Sequence, residues 1–175
     1  MWFKYPLAIV VFVVLAMIQN SILPHLWILG YVPNLIFILF FVQVFFEPQK
    51  EFEFGFWMAI LAGALMDIFL PPYFGVSIIC LLVIYCAVKT AQQLLSEVSE
   101  DFSIFSFIPM FSASFLIFGA LVYFASILLG FQINFGLKID VIISLILNLA
   151  AACIMFYIYR AIFIKERNDN QLKLL

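Results

Sequence analysis

Charge is what this chain has least of. Only 10% of its 175 residues are Asp, Glu, Lys or Arg, against about a quarter in a soluble domain. Eight bases and ten acids leave a net charge of −2. The bases are scattered through short loops, so no basic patch is offered to nucleic acid. Histidine occurs once, at His25 beside Pro24, and a histidine-based metal set is therefore not available. The three cysteines, Cys80, Cys86 and Cys153, all lie in apolar runs. An odd count with no CxxC spacing gives neither a disulfide framework nor a zinc pattern. There is no Ser/His/Asp set, no HExxH, no glycine-rich phosphate loop and no Walker lysine, so no catalytic residues or cofactor are expected. Repeats, low-complexity segments and a soluble domain are also missing.

What remains is apolar. Hydrophobic residues make up 67% of the chain and the mean hydropathy is +1.23, which leaves no room for a solvated surface. The expected fold class is all-α: a polytopic integral membrane protein, with a single bundle of six transmembrane helices over residues 1–164 and a short polar tail over 165–175. The first run, Tyr5 to Ile18, precedes Gln19-Asn20-Ser21 and ends near Pro24. No small-residue cleavage site follows it, so it reads as a retained helix. Pro33-Asn34-Leu35 opens a second span to about Phe46, proline suiting a first helical turn. The third span, Phe54 to Leu70, is about 26 Å long at 1.5 Å per residue. The fourth runs from near Phe74 to Val88. Beyond it Ala91, Leu94, Leu95, Val98 and Phe102 recur near helical spacing, which predicts an amphipathic extension lying at the membrane surface. The fifth lies within Ile104–Leu129, with Pro109 a possible kink, and the sixth runs from about Ile139 to Phe163.

The stretch over residues 55–75, GFWMAILAGALMDIFLPPYFG, is expected to be the inner helix of this bundle. Gly55, Ala59, Gly63 and Asp67 fall at spacings of four and make one stripe. Small residues let a neighbouring membrane helix come close, and a charge in an apolar helix turns toward protein or water. On the sixth span Asp140, Ser144, Asn148 and Ala152 repeat the same spacing. The two helices run in opposite directions, so their stripes match in depth, and they are expected to pack antiparallel through Gly55, Ala59, Gly63, Ser144 and Asn148. Asp67 and Asp140 would then meet at one level, with Lys138 or a proton between them. Asp67 has three readings: structural acceptor, partner-binding group, or ligand site. At a helix C-terminus it needs a definite donor nearby. Asp140 and Asn34 also read as helix-start residues.

Six spans place both termini on one side. Lys4, Lys50, Lys89, Arg160, Lys165, Arg167 and Lys173 then share that side and only Lys138 lies opposite. The positive-inside rule puts that shared side, and both termini, in the cytoplasm.

In their order, Gln19-Asn20-Ser21, Gly30, Pro33-Asn34-Leu35, Gly55-Phe56, Ala62-Gly63, Leu65-Met66-Asp67-Ile68 and Gly75 resemble the pattern of the rod shape-determining MreD family. The match covers roughly residues 15–90; the second half is similar in length and hydropathy only. The family's aspartate is Asn34 here, which retains a capping role. The resemblance implies a non-enzymatic subunit of the cell-elongation machinery in the bacterial inner membrane. Its implied partners are the bitopic protein MreC and, through it, the actin-like MreB and the lateral-wall peptidoglycan synthases, besides membrane lipid. Six short helices with an outward polar cluster of Asn20, Asn34, Asp67, Lys138 and Asp140 also look like the substrate-binding subunit of an energy-coupling-factor vitamin transporter.

Overall fold

A computed structural model of the chain describes residues 4–25, 31–47, 53–69, 75–96, 104–130 and 139–172. Among them every regular element is helical: α1 (Lys4–Ser21), α2 (Leu35–Phe46), α3 (Glu53–Phe69), α4 (Val76–Ser96), α5 (Ile104–Leu128) and α6 (Ile139–Leu172), with a 3₁₀ turn at Leu23–His25 after α1. Four segments are long and apolar enough to cross a membrane: Pro6–His25, Val76–Leu94, Ile104–Leu128 and Asp140–Ala161. Their outward faces are apolar. Leu7, Val10 and Val14 on α1, Ile79 and Val83 on α4, Phe124 on α5 and Ile146 and Ile154 on α6 are all exposed, which suits hydrocarbon and not water.

The second span forms at its expected place but is short. With 12 residues, α2 is about 18 Å long, well short of the ~30 Å hydrocarbon core. It is also the centre of the molecule, displacing the 55–75 stretch from that place. Every residue from Ile36 to Phe46 is buried, so α2 has no face left for lipid. A helix apolar all round belongs in a core. Phe37, Phe41 and Phe45 recur every four residues and make one ridge along it. That ridge meets Phe107, Phe111 and Phe115 of α5, edge to face, with ring centroids 5.1–5.8 Å apart. Phe46 lies 5.2 Å from both Phe156 and Tyr159 of α6. Such ring pairs add about 0.5–1.5 kcal/mol each beyond the area they bury.

The other helices wrap this core. α1 turns Ala8, Phe12 and Ala16 inward, again at spacings of four, and packs on α2 and α3. α3 packs most extensively on α4, while α6 packs on α2 and α5. The expected α3–α6 seam is therefore replaced by an α3–α4 hairpin and an α2–α6 contact. Consecutive helices joined by a short connection stay adjacent, and that favours α4 over α6 as the neighbour of α3. The double proline of that connection, Pro71-Pro72, lies outside the described residues.

One further expectation changes. α4 does continue past Val88, to Ser96, but its polar residues Lys89 and Gln92 point into the protein and are buried. Glu97 to Phe102 lie outside the described residues. Into the polar tail, α6 continues as helix to Leu172.

Candidate functional site

Several of the bundle's buried polar groups gather at the two ends of α2. A helix leaves four N–H and four C=O groups without partners inside itself, and in an apolar setting each needs a partner from elsewhere.

At the N-terminal end the partners are neutral amides from three places. Asn34 is the N-cap, its side chain accepting from Phe37 N–H at 3.1 Å. Gln19 Oε1, from the end of α1, accepts from Ile36 N–H at 3.2 Å. Asn148 Oδ1, from α6, accepts from Asn34 N–H at 2.7 Å. The Asn148 amide in turn donates to Ser144 O at 2.8 Å and lies 3.4 Å from Ser144 Oγ. Asn148 is buried and Ser144 half-buried. Ser144 and Asn148 are thus packing positions toward α2. Ala59, like Gly55 and Gly63, is buried on α3.

At the C-terminal end the partners are a charged amine and a neutral amide. Lys89 Nζ donates to Glu47 O at 3.2 Å and lies 2.7 Å from Glu47 Oε2. Gln92 Nε2 donates to Phe45 O at 2.8 Å. Glu47 Oε1 accepts from Gly55 N–H, in the first turn of α3, at 2.6 Å. The side chains of Lys89 and Glu47 are 3% and 2% exposed. One carboxylate therefore ties together the end of α2, the start of α3 and the middle of α4. Gly55 makes room for it: a Cβ there would stand 2.5 Å from both Glu47 Oε2 and Tyr85 Cε2. One turn back along α2, Gln43 Oε1 is buried without a hydrogen-bond partner.

Asp67 repeats this device at the next joint. Its Oδ2 accepts from Gly75 N–H at 2.7 Å and its Oδ1 from Ser77 N–H at 3.0 Å. The donor that its place at a helix C-terminus requires is the start of α4. An acid near a helix N-terminus is favourable by dipole, and this offsets its own unfavourable station on α3. Gly75 holds φ at +94°, a left-handed conformation that favours glycine. Between the two acid joints, Gly63 sits so close to α4 that a Cβ would stand 2.5 Å from Ile78 Cα. Of the stripe Gly55, Ala59, Gly63 and Asp67, the two glycines and the aspartate meet α4 instead of α6.

Asp140 stands apart from Asp67 in its bonding. It occupies the first turn of α6 and accepts from Tyr31 Oη at 2.6 Å. That hydrogen bond raises the Tyr31 phenol above its ordinary value, with desolvation and the Asp140 charge adding in the same direction. Lys138, expected between the two acids, lies outside the described residues, and so does Gly30. Asn20 turns back on its own helix, donating to Ala16 O at 2.8 Å.

Two of the polar groups in the outward cluster are thus spent on backbone capping, since both carboxylate oxygens of Asp67 and the side-chain oxygen of Asn34 hold helix N-termini. The residues that sequence reasoning missed are Glu47, Lys89 and Gln92. Their signal was present: Glu47 and Lys89 each directly abut an apolar run, where a charge is costly without a partner. Comparison with known protein families, curated proteins and solved structures found no match for this chain.

Proposed function

We propose that this chain is an MreD-like membrane subunit of the bacterial cell-elongation complex, acting through helix faces and short loops. On this reading it crosses the inner membrane with both termini in the cytoplasm, its bundle counting α2 and α3 among six membrane helices. It binds MreC and so helps to control peptidoglycan synthesis and cell shape. The observation that carries the reading is where the motif residues lie. Gln19 and Asn34 hold the start of α2, Gly55 and Gly63 let α4 approach α3, and Asp67 with Gly75 forms the α3–α4 joint. That these residues serve as joints in one four-helix framework, α1 to α4, supports the reading.

Asp67, Asn34 and Asp140 then serve the partner surface indirectly, by fixing the helices that carry it. The deciding experiment is a cross-linked pull-down of the tagged chain from its own membranes, with partners read by mass spectrometry. Recovery of a bitopic periplasmic coiled-coil protein and cell-wall synthases is the expected result. Recovery of a transmembrane coupling protein with two ATPases would replace this reading by the vitamin-transporter one.

A further inference from the structure

We infer that α2 is not an autonomous span but depends on α4 for its place, and that the Glu47–Lys89 pair is the latch that seats it. Three observations carry this. First, α2 is about 18 Å long and buried from Ile36 to Phe46, so it has neither the length nor a lipid-compatible outer face to hold a membrane station alone. Second, the carbonyls of Glu47 and Phe45 accept from Lys89 and Gln92 of α4, 42 and 47 residues further along the chain, and Lys89 Nζ stands 2.7 Å from Glu47 Oε2. Until α4 is beside it, that end of α2 would present bare C=O groups and a charge to hydrocarbon. Third, the dependence is mutual. Lys89 lies within the apolar segment Val76–Leu94 that is long enough to cross a membrane, and it is buried against Glu47. Each charge makes the other's position tolerable.

The latch also has a direction. Glu47 accepts from Gly55 N–H while Lys89 donates to the Glu47 carbonyl. Reversing the two charges would aim an ammonium at an N–H and a carboxylate at a C=O. Charge balance alone therefore does not make the latch.

The test reads the seating of α2 directly in native membranes. In the full chain, Cys80, Cys86 and Cys153 are replaced and Gln43→Cys supplies a single thiol at a buried position of α2 that has no hydrogen-bond partner to lose at Oε1. Labelling by N-ethylmaleimide is followed. The expected result is protection in this background and with Lys89→Arg, and labelling with Lys89→Met and with the exchanged pair Glu47→Lys/Lys89→Glu. Protection with Lys89→Met would show that α2 seats without the latch and overturn the inference. Protection with the exchanged pair would reduce the latch to charge balance and overturn its direction. Labelling with Lys89→Arg equal to that with Lys89→Met would show that the site rejects any change of shape, and the charged latch would fall.

Discussion

The two ends of α2 solve the same problem with different chemistry. At the N-terminal end Gln19, Asn34 and Asn148 each hold one backbone N–H. At the C-terminal end Lys89 and Gln92 hold carbonyls, and Lys89 also neutralises Glu47. Neutral caps act one by one, each worth about 1 kcal/mol. A buried ion pair does not divide in this way. Its formation gains little net energy, but the loss of one partner strands the other. The neutral end should therefore weaken in steps, and the charged end should fail at once.

The widest gap between the ends is set by Lys89→Met. It leaves the Glu47 carboxylate buried and two α2 contacts open, and should cost about 3–5 kcal/mol, measured by thermal unfolding in detergent. A loss no larger than that of an amide variant would erase the distinction between the ends. Gly63→Ala tests the frame that brings Lys89 to Glu47. A Cβ 2.5 Å from the Ile78 backbone forces α3 and α4 apart, and overpacking of this kind costs about 1–3 kcal/mol. Here the contact atom is backbone and cannot rotate away, so the upper part of that range is expected. At the neutral end Asn148→Leu removes the acceptor of Asn34 N–H and should cost about 1–3 kcal/mol. Combined with Lys89→Met, which unseats α2 and so already breaks the Asn148–Asn34 contact, the losses should fall short of their sum. Full additivity would mean that α2 stays in place without Lys89. Asp67→Asn keeps one acceptor and turns an NH₂ toward a backbone N–H. It should cost about 1–2 kcal/mol, and Asp67→Ala more.

These residues also show what a sequence of this kind can express. Long apolar runs were legible, because length and hydropathy fix α1, α4, α5 and α6 without any knowledge of neighbours. The burial of α2 was not. A continuous apolar run reads the same whether lipid or phenylalanine rings surround it, and only its 12-residue length hinted at the answer. The stripe of Gly55, Gly63 and Asp67 was correctly legible as a contact surface, and the need of Asp67 for a donor followed from its place on the helix. The identity of the neighbour was not legible. Depth matching is satisfied by any antiparallel helix, and both α4 and α6 run opposite to α3. Lys89 and Gln92 misled for a related reason. Helical spacing shows that polar residues share a face, but it does not say whether water or the end of another helix lies across from that face.

The smallest effect belongs to the Tyr31–Asp140 contact, which pins the α1–α2 connection to the first turn of α6. Tyr31 is half-buried and Asp140 exposed, so the contact is screened, unlike the buried pair at the other end. Its sign is still testable. The folded state raises the Tyr31 phenol, so the contribution is present in full below the ordinary tyrosine value of about 10 and is lost as pH rises through the raised value. The small difference in melting temperature between the parent chain and Tyr31→Phe should therefore stay flat through neutral pH and close only in strongly alkaline buffer. Raising the salt concentration should shrink only the part owed to the Asp140 charge, because the hydrogen bond itself is short-ranged. A difference that persists after Tyr31 has ionised would assign the contact to packing of the ring, and the polar pin would then have no part in holding the N-terminal end of α2 toward α6.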